Sequence, residues 1–289
     1  MKSTLISFSM IFLYILVSPS VSFSVQDSKN VQVHRIELKD GSVVIGTILY
    51  EDSKSVKFRT LSNIEMVIQR DQILEMEIIS DKIVKGELWI KDPNRTRLLF
   101  APTGRALNAG QGYFSTYEIF FPFFAYGVTD FFSIAGGMTL IPGAEEQLLY
   151  FAPKITPLQT KYFNLAAGAL FIKVPDEEEG AGIVYGVSTY GKEDLAVTLG
   201  IGFGFSGGDF ASNTIITVGG EVQISKSIKL ITENWIIPNN DVQLISLGVR
   251  FFGKSLAADL GLIYPVGSET SGFPFIPWVG FAYNFGPKK

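Results

Sequence analysis

Between Leu195 and Ser206 the chain alternates without a break. Leu195, Val197, Leu199, Ile201, Phe203 and Phe205 are large and apolar; Ala196, Thr198, Gly200, Gly202, Gly204 and Ser206 are small. A β-strand sends successive side chains to opposite faces, so this stretch has one bulky apolar face and one nearly bare face. The same split recurs. Ile245, Leu247, Val249 and Phe251 oppose Ser246, Gly248 and Arg250. Val279, Phe281, Tyr283 and Phe285 oppose Gly280, Ala282 and Asn284. In a soluble sandwich the second face would carry the Lys and Glu that water favours, and here it does not. Hydrocarbon outside and a close-walled interior account for both faces. A soluble exported β-protein is the rival arrangement.

A literal G-x-G-x-x-G falls inside this stretch, at Gly202, Gly204 and Gly207. A dinucleotide loop needs such glycines at a turn that opens a helix after a strand. No helical pattern follows Gly207, and the glycines sit on one face of a strand, so the match is accidental.

Past residue 95 the pattern predicts twelve strands: 97–106, 112–122, 131–141, 148–156, 162–173, 182–190, 195–206, 214–224, 228–236, 242–252, 256–264 and 276–286. Connections around 191–194, 225–227 and 253–255 are tight and polar. Those at 175–181, 207–213 and 267–274 are long. Alternating short turns and long loops are the signature of a transmembrane β-barrel. The acidic run Asp176–Glu179 falls in one of the long loops and reads as a solvated segment. Trp235, Trp278, Tyr113, Tyr126, Tyr264 and Tyr283 lie near strand ends, where they form interfacial girdles or core aromatics. The segment 228–236 mixes its faces, and Pro102 and Pro153 interrupt strands; the pattern gives no account of these.

On this phasing the charges that face the lumen are Arg97, Arg105, Lys154 and Arg250, against Glu118, Glu221, Glu233 and Asp259. A Lys or Arg facing lipid near the midplane costs about 2–4 kcal/mol, which drives such residues inward. Opposed signs favour a structural salt-bridge network over a selectivity constriction.

The N-terminus has another grammar. Met1-Lys2, an apolar run from Leu5 to Val17 and the small residues up to Ser24 read as a signal peptide over 1–24. Residues 31–80 hold five short alternating strands, with Asp40-Gly41 as a hairpin turn. The passage "ELKDGSVVIGTIL…VKFRT…EMVIQRDQILEMEII" resembles the Sm-like, SH3-type five-stranded fold. RNA binding, common in that family, is not carried over. Acidic residues outnumber basic ones here, no basic patch exists, and the net charge of the chain is −4. Residues 81–95 then read as a linker and 96–289 as the barrel.

Across residues 95–289 the chain resembles outer-membrane β-barrel proteins without an assigned activity. The closing Val279-Gly-Phe-Ala-Tyr-Asn-Phe285 is similar to the aromatic C-terminal strand of that class, although Gly286-Pro-Lys-Lys follows it. Barrel hydrolases and acyltransferases are of similar size, but their chemistry typically uses a histidine. The one histidine here, His34, lies outside the barrel, and cysteine is absent. The expectation is therefore an all-β, non-enzymatic protein of the bacterial outer membrane, an antiparallel transmembrane barrel of about twelve strands. It has no cofactor, metal site or nucleic-acid partner, and it is embedded in outer-membrane lipid. The small five-stranded β-barrel domain at its N-terminus is periplasmic and binds a periplasmic protein. The leading function is a narrow passive pore or transporter for small solutes; the alternative is a non-conducting structural or docking barrel.

Overall fold

The structure, a computed structural model, describes residues 32–79, 82–84, 87–173, 179–238, 242–267 and 273–287. The expected signal peptide and residues 176–178 of the acidic loop lie outside them. The chain divides into two compact units, Met1–Ser80 and Asp81–Lys289.

The first unit is a five-stranded antiparallel sheet. Its strands are β1 (Val33–Leu38), β2 (Val43–Glu51), β3 (Ser55–Thr60), β4 (Glu65–Gln69) and β5 (Ile73–Ile79), in the order β4-β3-β2-β1-β5. A 3₁₀ turn, Arg70–Gln72, joins β4 to β5. Gly41 holds φ +85°, which the β1–β2 turn requires and a side chain resists. Asp52 receives the amides of Lys54 and Ser55 at 2.7 Å each in the β2–β3 turn. Those two bonds hold its carboxyl below the usual carboxylate range. Ile36, Val56, Phe58 and Ile68 form the buried core.

In the second unit, β6 (Lys82–Val84) and β7 (Glu87–Trp89) pair as a ribbon. The wall follows: β8 (Gly112–Tyr117), β9 (Phe121–Gly127), β10 (Phe132–Met138), β11 (Leu149–Phe151), β12 (Lys154–Gln159), β13 (Phe163–Lys173) and β14 (Ala181–Lys192). It continues through β15 (Leu195–Ser206), β16 (Asp209–Ser225), β17 (Ile228–Ile236), β18 (Gln243–Phe252), β19 (Leu256–Val266) and β20 (Ile276–Phe285). Every pairing is antiparallel, and β20 returns to β8 from Phe285↔Gly112 to Gly280↔Tyr117, which closes the cylinder. Pro153 lacks a ladder donor and splits one wall strand into β11 and β12. Counting those two as one, the wall has twelve strands.

The count agrees with the sequence, but its make-up does not. Residues 97–106 are not part of the wall. The expected strand 112–122 is instead two strands, β8 and β9, reversed through Glu118 (φ 48°) and Ile119 (φ 67°). Residues 207–213 are not a long loop either: Gly207 and Gly208, both at positive φ, turn β15 directly into β16. At one end of the barrel all the connections are short, at 128–131, 160–162, 193–194, 226–227 and 253–255. At the other end long connections at 139–148, 174–180 and 267–275 are interspersed with the tight turns at 118–120 and 207–208. The alternation is thus looser than expected.

The side-chain phase follows the sequence. Leu195 and Leu199 on the outer face are 49% and 54% exposed, whereas Ala196 and Thr198, which lie between them in the strand, are 3% and 1% exposed. The mixed faces of β17 also have an explanation. Its ladder to β18 lapses between Ile231↔Gly248 and Trp235↔Leu244. Side chains fill the gap: Asn234 Oδ1 accepts the Ser246 amide at 3.2 Å, and Thr232 Oγ1 donates to the Ser246 carbonyl at 2.7 Å. Their polarity serves the sheet: outward Thr232 and Asn234 satisfy the backbone carbonyl and amide of Ser246. Trp235, Trp278 and Tyr113 turn inward as interior aromatics, while Tyr126, Tyr264 and Tyr283 face out.

Candidate functional site in the barrel lumen

The segment expected to be the first wall strand fills the barrel. Thr96–Leu98 runs antiparallel to Ala101–Thr103, tied by Leu98 N to Ala101 O at 2.8 Å and Thr103 N to Thr96 O at 2.9 Å. This small hairpin has Leu99 and Phe100 at its tip. The chain reaches the lumen from the end with uniformly short turns: the Ile90 carbonyl accepts Gln223 Nε2 at 3.1 Å, and the Ile90 amide donates to Lys226 O.

The bare face of the wall receives the hairpin. A Cβ at Gly219 would lie 2.1 Å from Leu98 Cδ1, and one at Gly248 would lie 2.8 Å from Leu99 Cδ2. A Cβ at Gly127 would meet the Asn108 carbonyl at 2.1 Å. These glycines are sockets. Leu98 and Leu99 are buried with Ile231, and Trp278 packs against them. Burial of each leucine is worth about 1.5–3 kcal/mol. Gly219→Val is therefore expected to destabilise the barrel by about 1–3 kcal/mol through overpacking. Leu98→Ala in the same chain should recover part of that loss, and urea unfolding in detergent micelles measures both.

An unbroken ladder of ion pairs joins hairpin to wall. Arg97 Nη1 meets Asp259 at 2.6 Å; Asp259 also receives Arg250 Nε at 2.6 Å. Arg250 Nη1 reaches Asp92 at 3.0 Å, and Asp92 receives Lys229 at 2.9 Å. Lys229 then meets Glu221 at 3.1 Å, and Glu221 receives Arg105. All seven side chains are 3% exposed or less. Asp92, Arg97 and Arg105 belong to the luminal segment; Glu221, Lys229, Arg250 and Asp259 belong to the wall. Arg250 further donates to the carbonyls of Asn94 at 3.0 Å and of Leu98, so one wall side chain braces the hairpin at several points.

Glu233 is buried but pairs with no cation among the described residues. Its Oε2 accepts the amides of Phe100 and Ala101 at 2.9 Å each, and its Oε1 accepts Trp235 Nε1 at 2.8 Å. It caps the hairpin tip. Lys154 donates to the carbonyls of Arg105 at 2.8 Å and Thr103 at 3.3 Å. Glu118 stands apart from the other charges expected in the lumen. It lies in the β8–β9 turn, where its carboxylate accepts the Val279 amide at 2.8 Å. Asp92 and Lys229 were missing from the expected set. Lys229 shares the inward parity of Glu233 on β17; Asp92 falls in the stretch read as linker. Among the described residues no group of three or more His, Cys, Asp or Glu is arranged to hold a metal ion.

The chain matches no protein-family model, and no curated protein matches it. Among solved structures it is similar to the KdgM porin in complex with disordered oligogalacturonate, with a TM-score of 0.46 and 10% identity, over 61% of this chain and 98% of that chain. It is also similar to OmpTdeltaL8, a loop L8 deletion mutant of OmpT, an outer membrane protein of Vibrio cholerae. There the TM-score is 0.33 and the identity 11%, over 88% of this chain and 97% of that chain.

Proposed function

We propose that the chain is a non-conducting barrel of the bacterial outer membrane that anchors a small periplasmic β-domain. The carrying observation is the ion ladder that locks an internal hairpin across the lumen. The outer face supports membrane insertion: a continuous band of exposed Leu, Ile, Val and Phe suits hydrocarbon and would be costly in water. The short-turn end, where Ile90 meets the 226–227 turn, corresponds to the periplasmic side of such barrels. The N-terminal unit, read as Sm-like, offers β4 and β5 as sheet edges, which suit a periplasmic protein that adds a strand. No catalytic step belongs to this reading, and the sole histidine lies in the N-terminal unit.

Planar-bilayer recording of the refolded full chain tests the reading. The expected result is a quiet membrane with no unitary steps while the protein shows the heat-modifiable gel migration of an inserted barrel. Sustained steps from the unaltered chain would overturn it in favour of passive passage of small solutes.

A further inference from the structure

The buried charges do not balance. Among the described residues, the buried cations are Arg97, Arg105, Lys154, Lys229 and Arg250, and the buried carboxylates are Asp92, Glu221, Glu233 and Asp259. Arg95 and Glu193, at the rim, pair with each other at 3.5 Å and leave this excess unchanged. One positive charge is thus uncompensated in the interior, where an unpaired ion is costly.

The excess falls beside a cavity. A space of about 100 Å³ lies between the hairpin and the wall strands β8–β10 and β12–β14, lined by Arg97, Lys154, Thr96, Ser133, Tyr113 and Tyr185 among others. One water needs only about 10–15 Å³ by the same measure. Two of the lining residues are cations whose donors the protein does not fully use. Arg97 engages Asp259, Leu98 O and Leu99 O through Nη1 alone. Its Nε and Nη2 have no acceptor, although the side chain is 2% exposed. The Tyr117 ring covers the guanidinium at 5.3 Å. Lys154 meets carbonyl oxygens but no carboxylate. The lining hydroxyls of Ser133 and Tyr185 can each donate a hydrogen bond, whereas Thr96 and Tyr113 bond to each other.

We propose that this cavity is a binding site for one small monovalent inorganic anion of halide size, held at the Arg97 guanidinium in a space that Lys154 also lines. The anion removes the excess charge and accepts the donors that Arg97 leaves over. A wet cavity does only the second. Loss of the Lys154 proton does only the first. The site does not depend on whether the barrel conducts.

Bromide is the probe. The full chain is refolded into detergent in sodium bromide or in sodium gluconate of equal ionic strength; gluconate is a far larger anion than a halide. Ligand that binds only the folded state raises stability by mass action. The wild-type unfolding midpoint is expected to be higher in bromide and to climb with bromide concentration. A strongly hydrated anion such as gluconate tends by general salt action to favour the folded state, so that effect runs the other way. Lys154→Gln is expected to abolish the bromide difference. Equal midpoints for the wild type in the two salts, or a bromide effect that survives Lys154→Gln, would overturn the proposal. If that variant does not refold, bromide-grown crystals of the wild type decide: an anomalous peak in the cavity beside the Arg97 guanidinium supports the site, and its absence there refutes it.

Discussion

Asp259→Ala is expected to lower the stability of the barrel by about 3–5 kcal/mol, the cost of breaking a buried ion pair from one side. Asp259 is the shared acceptor of Arg97 and Arg250, at 2.6 Å from each. Its removal leaves two guanidiniums in a water-poor interior with one fewer counter-charge. It also loosens the hairpin, because Arg97 is held to the wall by that carboxylate. Asp259→Asn, which keeps an acceptor but not the charge, should fall between the two. Urea midpoints in detergent micelles read the series. Equal midpoints for Asp259→Ala and wild type would mean that the ladder adds nothing to stability. Charge screening by itself should weaken the ladder little, since buried pairs are poorly screened.

Excision of residues 94–105, with a short Gly-Ser bridge in their place, is expected to turn a silent barrel into a conducting one. Twelve strands lie between the roughly 8 that side chains can fill and the 16–18 that leave an open channel. With the hairpin gone, Gly219 and Gly248 face empty space where Leu98 and Leu99 stood. The wall keeps Lys154, Lys229 and Arg250 against Glu221, Glu233 and Asp259, three of each sign. The opened lumen should therefore show large steps with weak preference between cations and anions. A variant that still migrates as a folded barrel but shows no steps would remove the hairpin as the cause of closure.

The wall was legible in the sequence because the strand period of two needs no partner to be seen. Leu199 and Ile201 announce an outer face by themselves. The hairpin was not legible. Its tip, Leu98-Leu-Phe-Ala101, has none of the Gly, Asn or Asp that mark a turn, and an apolar run of that length reads as a strand. What bends it is remote: Glu233 takes the amides of Phe100 and Ala101, and Arg250 takes the carbonyl of Leu98. The β8–β9 reversal hid for a similar reason, because Ile119 at φ 67° is a residue type that resists that conformation. The loss of 97–106 from the wall and the division of 112–122 into β8 and β9 offset each other, so the strand count stands. The inward glycines were seen correctly as small, but a lone strand cannot show whether smallness makes a void or a socket. Of the charges, parity placed Lys154, Glu221, Glu233, Arg250 and Asp259 on inward positions. It could not show that Arg97 and Arg105 reach the same interior from a segment outside the wall.

The hairpin comes before every wall strand in the chain, and the seam that completes the cylinder joins the first of those strands, β8, to the last, β20. A cylinder already sealed would have to admit a folded, charge-studded loop through its mouth. The order of the chain allows a simpler course, in which the loop acts as a mandrel and the sheet is wrapped about it as it curls. Each cation on the mandrel then finds its carboxylate while the sheet is still open to water, and the last seam draws shut over a finished interior.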